Sequence, residues 1–201
     1  MKQFRLSIAV LLSVWGLAGM GDAKADNGSG MNGVKVEKSE QKKVRVYTQP
    51  GSSVDVAIID VDGTVLYRGL ISKNTKGATS FNLNNLPDGQ YYLTAGNNAW
   101  WMSQGLTIKG NAVNVDARSL QQVAQPVLTA YEKNKIEVTL PTQNVDEANV
   151  AIYDAQNVLI QTDTFKGASR RFDLSAMPDG AYTFVVGPTQ KQFISRVDIR
   201  H

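Results

Sequence analysis

Asp60-Val61-Asp62-Gly63 sets two carboxylates one residue apart ahead of a glycine, which is how a calcium-binding loop begins. The later oxygen ligands and the closing Glu of such a loop do not follow. Asp-Gly is also a hairpin signature in which Gly supplies a positive φ, so the expectation is a turn. Cys is absent, and the only His is His201, the last residue of the sequence. Ser-His and Cys-His nucleophile arrangements are therefore excluded, as are zinc sites of Cys or His type. No carboxylate spacing suggests glycoside hydrolysis. Gly105, Gly110 and Gly167 stand alone, without a phosphate-cradling pattern, and read as turns or strand irregularities. The expectation is a protein with no catalytic residue, metal or cofactor. Trp100-Trp101 is the remaining unusual pair, and aromatic side chains are enriched where proteins meet partners.

The elements that must position these residues come twice. Phe81-Asn82-Leu83-Asn84-Asn85-Leu86-Pro87-Asp88-Gly89-Gln90-Tyr91 returns as Phe172-Asp173-Leu174-Ser175-Ala176-Met177-Pro178-Asp179-Gly180-Ala181-Tyr182. Asp55-Val56-Ala57-Ile58-Ile59-Asp60 returns as Asn149-Val150-Ala151-Ile152-Tyr153-Asp154. A period of about 90 residues exceeds any solenoid repeat and fits two copies of one small domain. In the second copy Gln156 stands at the Asp62 position, so a metal site there would not be shared.

Strand signals fill both copies. Val34-Lys35-Val36 and Val44-Arg45-Val46-Tyr47 alternate, and Val54, Val56 and Ile58 share a face. Val65-Leu66-Tyr67 follows the Asp-Gly turn; Phe81 and Leu83, then Tyr91 and Leu93, alternate; Met102, Gln104, Leu106 and Ile108 share a face. The second copy repeats this order, with Asn157 in place of Gly63 at the turn, a residue that also tolerates positive φ. Short alternating strands separated by turns indicate a sandwich. The expected fold is all-β: two tandem immunoglobulin-like β-sandwiches of about seven strands each, at 33–110 and 125–201. Residues 111–124 read as a linker, either one helical turn or extended chain.

Lys2 and Arg5, the apolar run Leu6–Met20 and Ala23-Lys24-Ala25 have the layout of a cleaved signal peptide over 1–25. The apolar run falls short of the roughly 20 residues that span a bilayer. Residues 26–32, rich in Gly, Asn and Ser, read as a disordered N-terminus. Without Lys2, Arg5, Lys24 and Asp22, the 21 basic and 18 acidic residues become 18 and 17, a net charge of +1. That balance offers no attraction for nucleic acid or an anionic membrane. No membrane span is expected in the mature protein. The expected location is outside the cytoplasm, secreted or in a bacterial envelope. Lys42-Lys43 and Arg170-Arg171 read as solvated edge charges that discourage strand-to-strand aggregation.

The succession Val-Ala-Ile-x-Asp, turn, Val-Leu, then Phe-x-Leu-x-x-Leu/Met-Pro-Asp-Gly-x-Tyr and a closing strand resembles the immunoglobulin-like modules of secreted Bacteroidota proteins. These comprise short secreted proteins of unknown function and the C-terminal sorting domains of type IX secretion cargo. The resemblance covers nearly all of residues 33–201, taken as two copies. It implies recognition near the end of a sorting domain, where Lys191, Arg196 and Arg200 are the matching basic positions. A sorting domain normally follows a large cargo domain, whereas here only the sister copy precedes the second one.

What the copies do not share is the place to look for a partner. Aligning Leu106 with Val197 and Ile108 with Ile199 puts Met102 opposite Phe193 on the inward face. Trp100 and Trp101 then fall opposite Lys191 and Gln192, and Trp101 is expected to point outward. It either packs against the sister copy or linker, or meets a protein or glycan partner, with Tyr92 extending the aromatic patch. The expected function is that of a non-catalytic interaction protein; the alternative is an export role, with the second copy as a sorting domain.

Overall fold

A computed structural model describes residues 34–49, 51–75 and 77–201. The expected signal peptide and N-terminal segment, residues 1–32, lie outside the described residues. The chain divides into two compact units. One runs up to Asn97 and takes in Met102–Leu120; the other comprises Asn98–Trp101 and Gln121–His201.

The first unit contains β1 (Lys35–Lys38), β2 (Lys43–Tyr47), β3 (Val54–Asp60), β4 (Val65–Ile71), β5 (Ala78–Asn82), β6 (Gly89–Gly96) and most of β7 (Trp100–Lys109). Strands β1-β2-β5 form one sheet and β4-β3-β6-β7 the other. Alternation puts Val44, Val46, Val56, Ile58, Phe81, Leu83 and Leu93 between them, each at most 2% exposed. Burying a side chain of this size contributes about 1.5–3 kcal/mol. Tyr67 meets Phe81 edge-to-face at 5.7 Å.

The second unit repeats the plan. Its β10 (Val127–Glu132), β11 (Lys135–Thr139) and β15 (Ser169–Asp173) form a three-stranded sheet. Its β13 (Ala148–Tyr153), β14 (Leu159–Phe165), β16 (Gly180–Gly187) and β17 (Phe193–Ile199) form a four-stranded one, in the order β14-β13-β16-β17. Val138, Ile152, Leu174, Phe184 and Val186 are fully buried, and Phe172 meets Phe184 edge-to-face at 5.8 Å. In each copy the first, second and fifth strands face the fourth, third, sixth and seventh. This is an immunoglobulin-like sandwich of seven strands.

The segment 111–124 is not plain linker. β8 (Ala112–Val115) pairs with β7, matching Leu106 to Val115 and Ile108 to Val113. A 3-10 turn, Ala117–Ser119, follows, capped by the Asp116 carboxylate accepting from Arg118 N at 3.0 Å. β9 (Gln121–Ala124) then pairs with β12 (Thr142–Gln143). Val113 and Val123 are buried, which is the physical reason the stretch is ordered.

This segment also explains why β7 is buried on both faces from Met102 to Leu106. The Ser119 hydroxyl accepts from Gly105 N at 2.8 Å, and the Gln104 amide donates to the Asp116 carbonyl. A Cβ at position 105 would lie 2.4 Å from Ser119 Oγ. Gly105 is thus a strand residue that lets a neighbouring segment approach closely, neither a turn nor an irregularity.

Candidate functional site

The Asp60 carboxylate closes its own turn. Its Oδ1 accepts from Asp62 N at 3.0 Å and Thr64 N at 2.8 Å, and Gly63 sits at φ +82°. Asp154 does the same with Gln156 N at 2.9 Å and Val158 N at 2.8 Å, with Asn157 at φ +60°. These are Asx turns closing a hairpin. Among the described residues no group of three or more His, Asp or Glu is placed to hold a metal ion.

The Pro-Asp-Gly-x-Tyr element ties three parts of each sandwich together. Tyr91 donates its hydroxyl hydrogen to the Pro87 carbonyl at 2.9 Å, and Tyr182 to that of Pro178 at 3.0 Å. This is a tyrosine corner. The Asp88 carboxylate accepts from Gly110 N at 2.8 Å, and that of Asp179 from His201 N at 2.9 Å. The lone His is absorbed in the same way: Nε2 contacts the Met177 carbonyl at 2.7 Å and Nδ1 contacts Asn134 Nδ2 at 3.2 Å. Burial, with the charges of Asp60 and Asp88 adding to it, pushes the Tyr91 phenol above its ordinary pKa. Burial alone does the same to Tyr67. Sequence reasoning took Tyr91 and Tyr182 only as strand starts. The recurring four-residue Pro-to-Tyr spacing was the signal that held the corner.

The aromatic patch is rearranged. Trp100 is buried, at 9% exposure. Trp101 does not project into solvent: it is half-buried and packs against the second unit's core. The alignment measured its direction against the first sandwich, but Asn98–Trp101 go with the second. That assignment is anchored by Gln125 N donating to the Ala99 carbonyl at 2.7 Å. Tyr92, half-buried, lies in the first unit, so it and Trp101 belong to different units.

Trp101 lines a cleft of about 210 Å³ within the second unit. The chain leading into β13 contributes Asp146 and Glu147, β13 itself Asn149, the chain leaving β16 Gln190, and β9 Gln121. Gly187 ends β16 at a point where a Cβ would lie 2.1 Å from the Lys191 carbonyl oxygen. This close approach, with Lys191 N donating to the Pro188 carbonyl at 3.1 Å, fixes the loop that carries Gln190. Sequence reasoning singled out Trp101 but none of these polar neighbours, which lie far apart in the chain and in no pattern.

The three basic positions of the closing strand separate. Arg196 and Arg200 are exposed, on the same side of the strand line as exposed Ile194 and Asp198. Lys191 precedes the strand, with its ammonium 5.3 Å from the Phe193 ring centroid. Three residues of the two basic pairs have partners. Arg170 Nε meets Asp163 at 2.7 Å; Arg171 Nε meets Glu137 at 3.0 Å and its guanidinium lies over the Tyr131 ring; Lys42 donates to the Leu86 carbonyl at 3.1 Å.

Residues 32–109 match the secretion system C-terminal sorting domain family. The match falls on the first sandwich. No curated protein matches the chain. Similar solved structures include the BSP domain of a biofilm-associated protein, at 15% identity and TM-score 0.29, covering 82% of this chain and 29% of that one. They also include the FN1–FN3 domains of chicken CNTN1, at 11% identity and TM-score 0.32, covering 84% of this chain and 65% of that one. A two-domain fibronectin type III segment of chicken tenascin is 12% identical with TM-score 0.33, covering 83% of this chain and 98% of that one. The chain thus spans less than two thirds of the first two of these structures. Among the described residues no helix is long and apolar enough to cross a membrane.

Proposed function

We propose that this is a non-catalytic protein, exported by the type IX route and acting at the cell surface or beyond it, where it binds a protein or glycan partner. The carrying observation is the match of residues 32–109 to the secretion system sorting domain. The non-catalytic part is supported by side chains already engaged in folding: Asp60, Asp154, Asp88, Asp179 and His201 each hold a backbone N–H or carbonyl. The partner-binding part is supported by Trp101, which lines the cleft of the second unit.

A second reading assigns sorting to the second copy. It is supported by the repetition in that copy of the Asx turn, the tyrosine corner and the Asp-to-closing-strand bond. Arg196 is exposed on its closing strand and Arg200 just past its end, where the resemblance places recognition.

Cell fractionation in a host with a type IX system tests both. The full chain is expected at the surface or in the medium, and retention in the periplasm overturns the export reading. Removing residues 125–201, or replacing Lys191, Arg196 and Arg200 together by Ala, is expected to hold the protein in the periplasm if the second copy is the signal. Unchanged export of both variants overturns that assignment.

A further inference from the structure

The Trp101 cleft has a lining whose chemistry selects among ligands. Trp101 shares the lining with three carboxamides, Gln121, Asn149 and Gln190, two carboxylates, Asp146 and Glu147, and the smaller Val145, Pro188 and Thr189. Neither carboxylate forms an ion pair with a described residue. Asn149 Oδ1 accepts from the Thr164 hydroxyl at 3.0 Å, which leaves its amide N–H groups to donate. The Trp101 side chain packs against the second core, which restricts its rotamers before any ligand arrives.

We infer that this cleft binds a neutral saccharide, one pyranose ring lying on Trp101 with its hydroxyls held by Asp146, Glu147, Asn149 and the glutamines. The inference rests on the non-catalytic binding reading and names its ligand class. A sugar ring presents an apolar C–H face, which an indole covers well, and a rim of hydroxyls. Each hydroxyl both donates and accepts, so it satisfies carboxylates, which only accept, and carboxamides, which do both. An ammonium or guanidinium ligand would suit the carboxylates and the ring, but it has no acceptor for the carboxamide N–H groups. An acidic sugar would meet two carboxylates and no lining cation. The lining is therefore matched to an uncharged polyol with an apolar face.

The test is calorimetric titration of the full mature chain with hexasaccharides of β-1,4-glucan, α-1,4-glucan, α-mannan and β-galactan. A hexagalacturonate serves as the anionic comparator and the tripeptide Arg-Gly-Arg as the cationic one. Binding to at least one neutral glycan and not to the hexagalacturonate is expected. Trp101→Ala is expected to weaken it at least about tenfold, and Asp146→Asn with Glu147→Gln about fivefold or more. The two exposed carboxylate changes preserve shape and keep the test valid where Trp101→Ala loses fold. Failure of every neutral glycan to bind the folded chain, tighter binding of Arg-Gly-Arg, or glycan binding unchanged in the Asp146/Glu147 variant each overturns the inference. None of these outcomes alters where the protein is found by fractionation, so the export reading stands or falls separately.

Discussion

The Asp88 carboxylate holds Gly110 N at 2.8 Å, 22 residues away in sequence. Asp179 holds His201 N at 2.9 Å across the same interval. The Asp of each Pro-Asp-Gly turn thus does more than favour the turn: it fastens the end of the closing strand to the start of its neighbour. Asp88→Ala or Asp179→Ala is expected to cost roughly 0.5–1.5 kcal/mol, because both carboxylates are exposed and water replaces part of the bond. Urea denaturation reads the loss. Hydrogen exchange should localise it to the chain around Gly110 or His201, and unchanged exchange there would contradict the fastening role.

Tyr91 links this element to pH. Its phenol is raised above the ordinary value of 10.0, by burial first and then by Asp60 and Asp88. A group with a raised folded pKa keeps its full contribution below the unfolded pKa, about 10, and loses it as pH rises through the folded value. Stability is therefore expected to be flat with respect to this group up to about pH 10 and to fall above it. Tyr91→Phe should cost about 1 kcal/mol at neutral pH through loss of the bond to Pro87, yet flatten the alkaline decline. Urea midpoints from neutral to alkaline pH measure both, and Tyr67 accounts for the part that persists.

The sandwich was legible because burial writes itself in alternation: Val44/Val46, Val56/Ile58 and Phe172/Leu174 are apolar and buried while their neighbours are not. The Asx turns were legible because Asp60 bonds only two and four residues ahead. The Asp88–Gly110 bond was not, since a side chain reaching a backbone N–H across 22 residues leaves no local pattern. In residues 111–124 one helical turn was among the expectations, but β8 and β9 were not, because four-residue strands give too few alternations to count. The alignment within the first sandwich turns Trp101 outward and leaves its contact open between the sister copy and a partner; the ring packs with the second unit's core. The residues around it in the cleft come from β9, from β13 and the chain before it, and from the chain after β16, a meeting that only the fold arranges.

Gly105→Ala tests the packing over β7. The added methyl would stand 2.4 Å from Ser119 Oγ and 3.0 Å from its Cβ, so the Ser119 side chain must move. Moving it breaks the bond it accepts from Gly105 N and its contact with the Gln104 amide. A destabilisation of about 1–3 kcal/mol is expected, from overpacking and a buried donor left unpaired. The companion variant Ser119→Ala should cost less, about 1 kcal/mol. In Gly105→Ala it should recover part of the loss by making room, and a purely additive double variant would show that the two side chains do not compete.

Trp101→Ala separates a packing role from a ligand-binding one. The indole is half-buried against the second core, so its removal is expected to cost roughly 1.5–3 kcal/mol, less than a fully buried Trp. The loss should appear as faster amide exchange in the second unit, at Gln121 and Asn149, which line the same cleft, and not in strands β2, β3 and β5 of the first. Trp101→Phe keeps an apolar face on the core and should recover more than half of the stability. If Trp101→Ala instead melts with the parent protein, the ring is not supported by the core, and the fixed platform that the cleft requires is absent.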